Sequence, residues 1–182
     1  MDIVRAVADI DQSNDLHEAR LLVLLNAFSG DAGDETIDGL TKLAKLDFLL
    51  RYPVMLERAL KARGRSVRGV KLLDHERMSV ESEMVRYRFG PWDHRYRSFL
   101  NILVAKGLAS ISIKGRKITI AITGVGRELA KKLTANELFE QYTARSEILK
   151  RHFDLTATAL MRFIYKTFPE ILSLRSNAPI PT

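Results

Sequence analysis

The chain has 182 residues, an apolar content of 46% and a formal net charge of +7 at neutral pH. It contains no cysteine, which excludes a disulfide framework and a thiolate metal site, and its apolar content is sufficient for a hydrophobic core. No apolar run approaches the ~18 residues of a membrane span, and the acidic start Met1-Asp2 does not resemble a signal peptide, so we expect a cytoplasmic protein without a membrane segment.

Charge is distributed unevenly along the chain. The first 50 residues carry 10 acidic and 4 basic side chains, whereas the remaining residues carry 12 acidic and 25 basic ones. A basic body of this kind suggests an anionic partner, and nucleic acid is the usual one. A surface charge that only keeps the protein soluble explains the same numbers, and composition does not choose between the two.

The first part of the chain is predicted to be helical. Residues 1–14 are expected to form a loose acidic arm and residues 15–71 an N-terminal helical part. Apolar side chains recur at helical spacing in three segments of that part: Asp15–Phe28, Leu40–Leu50 and Pro53–Ala62. Asp47 lies inside the second of these apolar segments, where its carboxylate must be paired or hydrogen-bonded if it is buried. An aspartate in such a segment more often rotates outwards to solvent, and we expect that here and assign Asp47 no function.

The segment Lys61–Lys71 is basic and contains two glycines. Five of its eleven side chains are cations. Such a loop suits a flexible arm that binds phosphates, and it suits a solvated surface loop equally well.

Residues 72–134 carry the most specific pattern. Asp93 is expected to cap a helix that runs to Lys106, and Gly107 suits the end of that helix. Positions i, i+3, i+4, i+7 and i+8 of the helix give one stripe that we expect to be buried: Tyr96, Phe99, Leu100, Leu103 and Val104.

A hairpin is predicted to follow this helix. Apolar and polar residues alternate on both sides of the basic turn Lys114–Lys117, which is the pattern of two paired strands. Thr123 then suits the cap of another helix, and Arg86–Phe89 is expected to pair with the hairpin as a short strand. Helix, hairpin and helix in this order predict a mostly α protein with a winged helix-turn-helix core.

The last part of the chain is predicted to be helical, with a tail. Residues 135–171 are assigned to C-terminal helices, the first capped by Thr134 together with Glu137 and the second by Asp154. Leu138, Tyr142, Leu149 and Phe153 are the expected buried side of the first of them. Residues 172–182 are expected to form a tail.

The sequence offers little for catalysis. It has no Gly-rich phosphate loop of the Walker kind, and its four histidines are not at metal-ligand spacing. We therefore expect no enzyme activity, no cofactor and no bound metal.

Binding is better supported than catalysis. In a winged helix, the helix Asp93–Lys106 is the recognition element, because a helix fits the major groove of DNA, and basic side chains at the wing contact phosphates. The candidate DNA-binding residues are Arg86, Arg88, Arg95, Arg97, Asn101, Lys114, Arg116 and Lys117. The candidate partner-binding residues are Trp92, Ile102 and Ala105, because an outward isoleucine beside an alanine suits a protein surface better than a base-reading one.

Three stretches of the chain resemble a known family. They are Leu21–Phe28, Leu40–Pro53 and Gly90–Arg97 ahead of Gly107-Leu108, with Phe163–Ile171 in the same pattern. The order of these stretches is similar to that of the middle components of bacterial three-component ABC systems, of which Lamassu is the best-known type. In those systems an SMC/Rad50-like ATPase works with a small middle protein and an effector, so the resemblance implies a non-enzymatic adaptor in anti-phage or anti-plasmid defence.

Two hypotheses therefore stay open. The first is an adaptor between an SMC-like ATPase and an effector, with double-stranded DNA as a further partner through the winged helix. The second is a dimeric winged-helix transcription regulator in which the C-terminal helices form the dimer interface. An ATPase gene beside this one would favour the adaptor, and a divergently read promoter would favour the regulator.

Overall fold

A computed structural model describes residues 14–72, 84–87 and 90–181. The predicted arm, residues 1–14, lies outside these ranges except for Asn14, and so do residues 73–83 and Arg88-Phe89 of the predicted strand. Within these ranges the helices are α1 (Asn14–Phe28), α2 (Leu40–Arg51), α3 (Pro53–Ala62), α4 (Tyr96–Ala105), α5 (Gly124–Thr134), α6 (Glu140–Phe153), α7 (Ala157–Thr167) and α8 (Pro169–Ser173), and residues Glu137–Phe139 form a 3₁₀ turn. The protein is mostly helical with small antiparallel sheets, as predicted.

The larger sheet contains the predicted hairpin. Its strands are β1 (Ile37–Asp38), β4 (Ala109–Lys114) and β5 (Lys117–Ile122), in the order β1-β5-β4. Ile37 pairs with Ile120, and both are buried. Two residues show no alternation, so β1 could not be predicted from the sequence pattern.

The smaller sheet differs from its prediction. β2 (Val85–Tyr87) pairs with β3 (Gly90–Trp92), and not with the hairpin. The backbone N–H of Arg86 donates to the carbonyl of Ala178, and the N–H of Ile180 donates to the carbonyl of Met84. The segment predicted as a tail, residues 172–182, is therefore bound to β2 through its last described residues, with Ile180 fully buried.

All parts of the described chain share a single hydrophobic cluster. α1 packs against α4, α5 and α6, and α2 packs against α6 and α7. Residues of the predicted parts 15–71, 72–134 and 135–171 all contribute to the buried cluster. Val104, predicted within the buried stripe of α4, is instead 40% exposed because it lies at the edge of that stripe, roughly 80° around the helix from Tyr96.

A buried ion pair joins the three central helices. Asp47 on α2 is fully buried, contrary to the expectation that it faces solvent. Its carboxylate accepts hydrogen bonds from Arg20 of α1 at 2.7 and 3.1 Å and from the Tyr96 hydroxyl of α4 at 2.7 Å. Burial by itself would raise the pKa of Asp47, but the charges of Arg20 and Arg51 hold that pKa below its usual value. Asp47 is therefore a buried anion compensated by its neighbours.

His17 lies beside this ion pair and is neutral. Its ring stacks on Phe99 at 5.2 Å between centroids, and neither ring nitrogen has a hydrogen-bond partner among the described residues. Burial, followed by the charge of Arg20, lowers the pKa of His17 to about 4. The side chain serves as packing for α1 against α4.

Several predicted helix caps are wrong. α4 begins at Tyr96 and not at Asp93, whose carboxylate instead accepts from the backbone N–H of Arg95 in the preceding turn. The capping box predicted from Thr134 and Glu137 is absent, because Asn136 caps the 3₁₀ turn. Leu138, which was predicted to be buried, is 80% exposed in this turn. Thr156, and not Asp154, caps α7.

Two other predicted signals are confirmed. Gly107 follows α4 with a φ of 69°, and the Thr123 hydroxyl accepts from the N–H of Gly126 at the start of α5. The Thr123 hydroxyl also donates to the carbonyl of Gly107 at 2.6 Å. These bonds fasten the helix end, the hairpin and α5 to one another.

Candidate functional site

The exposed face of α4 presents polar and small side chains. Tyr96, Phe99, Leu100 and Leu103 point into the core, which fixes the opposite face outwards. Arg97, Asn101 and Ala105 follow at i, i+4 and i+8, and all three are exposed. Two of the predicted DNA-binding residues, Arg97 and Asn101, therefore share one open face of the helix.

The hairpin turn carries the other predicted cations. Lys114 and Lys117 pair at the ends of β4 and β5, and Gly115 takes a φ of 61° between them, which a residue with a side chain adopts only at a cost. Lys114, Arg116 and Lys117 are all exposed. Lys117 also lies 3.2 Å from the carboxylate of Asp38 in β1, so its charge is partly offset.

A groove of about 770 Å³ lies between α4 and this hairpin. Arg97, Arg116 and Lys117 line it together with the indole of Trp92 and the apolar side chain of Ile118. The first turn of α2 forms part of the lining, and the positive end of its dipole adds to the potential of the cations. The groove is therefore a mainly basic site with one acidic side chain, Asp38, and its lining comes from β1, α2, β3, α4 and the hairpin.

Arg95 is held away from this groove. Its guanidinium donates to the carboxylate of Asp93 at 3.0 and 2.8 Å and lies over the ring of Phe99 at 5.3 Å. Asp93 also pairs with Arg51 at 3.1 Å. Although burial opposes it, hydrogen bonds from Arg95 hold the pKa of Asp93 well below its usual range. Arg95 thus has a structural partner, whereas the described residues provide none for Arg97.

Arg86 is also separate from the groove. Arg86 lies in β2, near enough to Tyr165 of α7 for its charge to act on that hydroxyl, whose pKa is nevertheless raised by burial. Arg88 lies outside the described residues. Of the eight predicted DNA-binding residues, the structure brings Arg97, Arg116 and Lys117 to one groove, with Asn101 and Lys114 exposed on the same two elements.

The three predicted partner-binding residues do not form one exposed patch. Trp92 is half-buried, meets the ring of Tyr96 edge-on at 5.5 Å and lines the groove. Ile102 and Ala105 lie in the last turn of α4, and Ile102 is half-buried where an exposed side chain was expected.

The most exposed apolar side chain of α4 and the hairpin, Ile113, lies on the hairpin instead. Ile113 is 69% exposed and Ile111 is 40% exposed. Alternation places both on the core-facing side of β4, opposite Ile118 and Ile120. The hairpin extends past the core, so that Ile113 projects beyond the residues that would cover it. The alternation of apolar and polar residues alone does not predict this exposure.

No group of three or more potential ligand side chains that could hold a metal ion occurs in the described ranges. Within the same ranges, no helix combines the length and the apolar character needed to cross a membrane. Comparisons of the chain with protein-family models, with curated proteins and with solved structures find no match.

Proposed function

We propose that α1, β1, α2, α4, β4 and β5 form a winged helix that binds duplex DNA, with α4 as the recognition helix and the turn Lys114–Lys117 as the wing. The order of these elements and the sheet order β1-β5-β4 support this assignment, since a short strand after the first helix completes the sheet of the wing. The observation that carries the proposal is the convergence of Arg97, Arg116 and Lys117 on one groove.

The chemistry of the exposed surface agrees with a duplex ligand. A helix fits the major groove, and the amide of Asn101 on the open face of α4 has the donor and acceptor needed to pair with an adenine edge. Cations on either side of the groove suit the phosphates of one strand. The base contact would thus come from α4, and the phosphate contacts from the wing together with Arg97 of α4.

The experiment is a titration of a short duplex against the chain at several salt concentrations. A chain that neutralises four to six phosphates should lose affinity with a log–log slope of roughly −3 to −6. Replacing Lys114, Arg116 and Lys117 together by alanine should flatten this slope by about 2 to 3, because three phosphate contacts are lost.

A control variant separates the wing from net charge. Lys132, Lys166 and Arg175 are exposed cations elsewhere on the surface, and their joint replacement by alanine removes the same charge. This control should leave the slope almost unchanged. If the control and the wing variant have equal slopes, the wing does not contact DNA.

We propose further that the chain serves as a non-enzymatic adaptor that bridges an SMC-like ATPase and an effector in anti-phage or anti-plasmid defence. The resemblance of the sequence to middle components suggests this setting. The structural observation in its favour is the exposed apolar edge of the hairpin, Ile111 and Ile113, because burial of such side chains stabilises contact with a protein but not with phosphates.

A further inference from the structure

The basic segment after α3 is fixed along α6, and it does not form the flexible arm considered in the sequence analysis. We name residues 63–71 the strap. It leaves α3 through a turn in which Gly64 takes a φ of 63° and the N–H of Arg65 donates to the carbonyl of Leu60. The guanidinium of Arg63 then lies over the ring of Phe153, at the end of α6, at 5.5 Å.

The remaining anchors of the strap follow α6 backwards. Gly69 packs closely against Ile148 of α6: a Cβ added at position 69 would lie 3.0 Å from the Ile148 side chain. Arg145, which is buried, donates to the carbonyls of Val70 and Lys71 at 3.1 and 3.3 Å. The strap is thus held at both ends and near its middle.

This anchoring leaves three arginines pointing to solvent. Arg65 and Arg68 of the strap are exposed, as is Arg151 of α6, and none of the three has an ion-pair partner in the part of the chain that the structure describes. His152, beside Arg151, is half-buried, and its pKa is lowered by burial and by the charges of Arg65, Arg151 and Arg63. Arg65 and Arg151 both act on His152 and so lie close together, with Arg68 three residues further along the strap. Neighbouring cations repel one another unless an anion lies between them.

We propose that the strap and the C-terminal half of α6 bind the phosphate backbone of a second segment of duplex DNA. The choice of DNA as the ligand rests on the proposed function. The site itself does not, because none of these residues belongs to α4 or to the wing. Two DNA sites on one chain would let it hold two duplex segments, or one that bends around it.

The composition of the surface favours a nucleic-acid backbone over a folded protein. Protein interfaces depend on apolar or aromatic anchors at their centre. None of the large exposed apolar side chains of the described residues lies on the strap or on α6, and Val67 and Val70 pack inwards. The exposed charged groups of this surface are Arg65, Arg68, Lys71 and Arg151, with one carboxylate, that of Glu147. The planar guanidinium of an arginine matches phosphate oxygens.

The test compares four forms of the full chain in titrations with a short duplex. They are the wild type, a strap variant (Arg65→Ala, Arg68→Ala, Arg151→Ala), the wing variant (Lys114→Ala, Arg116→Ala, Lys117→Ala) and the charge-matched control (Lys132→Ala, Lys166→Ala, Arg175→Ala). Stoichiometry is measured by analytical ultracentrifugation, and the salt slope is measured for each binding step. Far-ultraviolet circular dichroism and a melting curve check that each variant is folded.

We expect the strap variant to bind one duplex fewer per chain than the wild type. It should keep the binding step that the wing variant loses. Its lost step should carry a salt slope of roughly −2 to −3, for three phosphates. The inference is overturned if the strap variant matches the control in both stoichiometry and slope, or if polyglutamate binds at the strap where duplex DNA does not. If only the strap variant loses binding, the strap site stands and the proposed role of the wing fails.

Discussion

Replacing Asp47 by alanine is expected to destabilise the protein by about 3–5 kcal/mol, the usual effect of removing one partner from a buried ion pair. The substitution leaves the guanidinium of Arg20 inside the core without the carboxylate that compensates it. It also removes the acceptor of the Tyr96 hydroxyl, and it opens a cavity between α1, α2 and α4. Denaturant unfolding followed by circular dichroism measures the change.

An exposed ion pair supplies the control for this prediction. Glu140 on α6 pairs with Lys71 at 2.7 Å, and both side chains are more than half exposed. Replacing Glu140 by alanine should change stability far less than Asp47→Ala does, because solvent screens exposed ion pairs. If Asp47→Ala and Glu140→Ala have similar small effects, Asp47 does not hold the three helices together.

Replacing Ile113 by aspartate is expected to abolish assembly with an SMC-like ATPase while leaving the fold intact. The side chain is already 69% exposed in the isolated chain, so the folded monomer loses little. Full burial of an isoleucine against a partner stabilises by about 1.5–3 kcal/mol, which is roughly a 10- to 150-fold change in affinity, and a buried aspartate adds a desolvation penalty. The measurement is co-purification with a co-expressed SMC-like ATPase.

Ser112 gives a matched control, because it lies next to Ile113 on the opposite face of β4 and is exposed as well. Ser112→Asp introduces the same charge on the same strand, and this variant should still co-purify with the ATPase. If Ile113→Asp also still binds the ATPase, and instead no longer binds a sequence-specific operator, the adaptor hypothesis is wrong and the regulator hypothesis is favoured.

The parts of the fold that were predicted correctly are those with a local signal. Helical spacing indicated α1, α2 and α3 almost to the residue, and alternation indicated β4 and β5. Gly107 and Thr123 were predicted as helix ends from the conformation and the hydroxyl that such ends require.

The parts that were missed depend on distant residues. β1 exists because Ile37 meets Ile120, and the buried state of Asp47 depends on Arg20, which lies 27 residues away. The path of the strap is set by Arg145 and Phe153 of α6, which no pattern within the strap itself reveals.

The candidate site shows the same division between local and distant information. The basic turn and the exposed face of α4 follow from the local pattern, which is why Arg97, Asn101 and Lys114 were placed on the correct elements. Arg95 was predicted as a DNA contact from charge alone, whereas the structure pairs it with Asp93. Which cations remain available for a ligand depends on where the acidic side chains fold, and spacing does not contain that information.

The central claim, that the open face of α4 enters the major groove of duplex DNA, is tested most directly by site-directed crosslinking. Since the chain has no cysteine, Asn101→Cys provides a single thiol on this face, and Thr158→Cys provides one on an exposed position of α7. Each variant is mixed with a duplex that carries a disulfide-activated thiol tethered to a base edge in the major groove. We predict that the cysteine at position 101 crosslinks to the duplex and that the one at position 158 does not. Equal crosslinking at the two positions, or none at position 101 when the duplex is bound, would contradict the role proposed for α4.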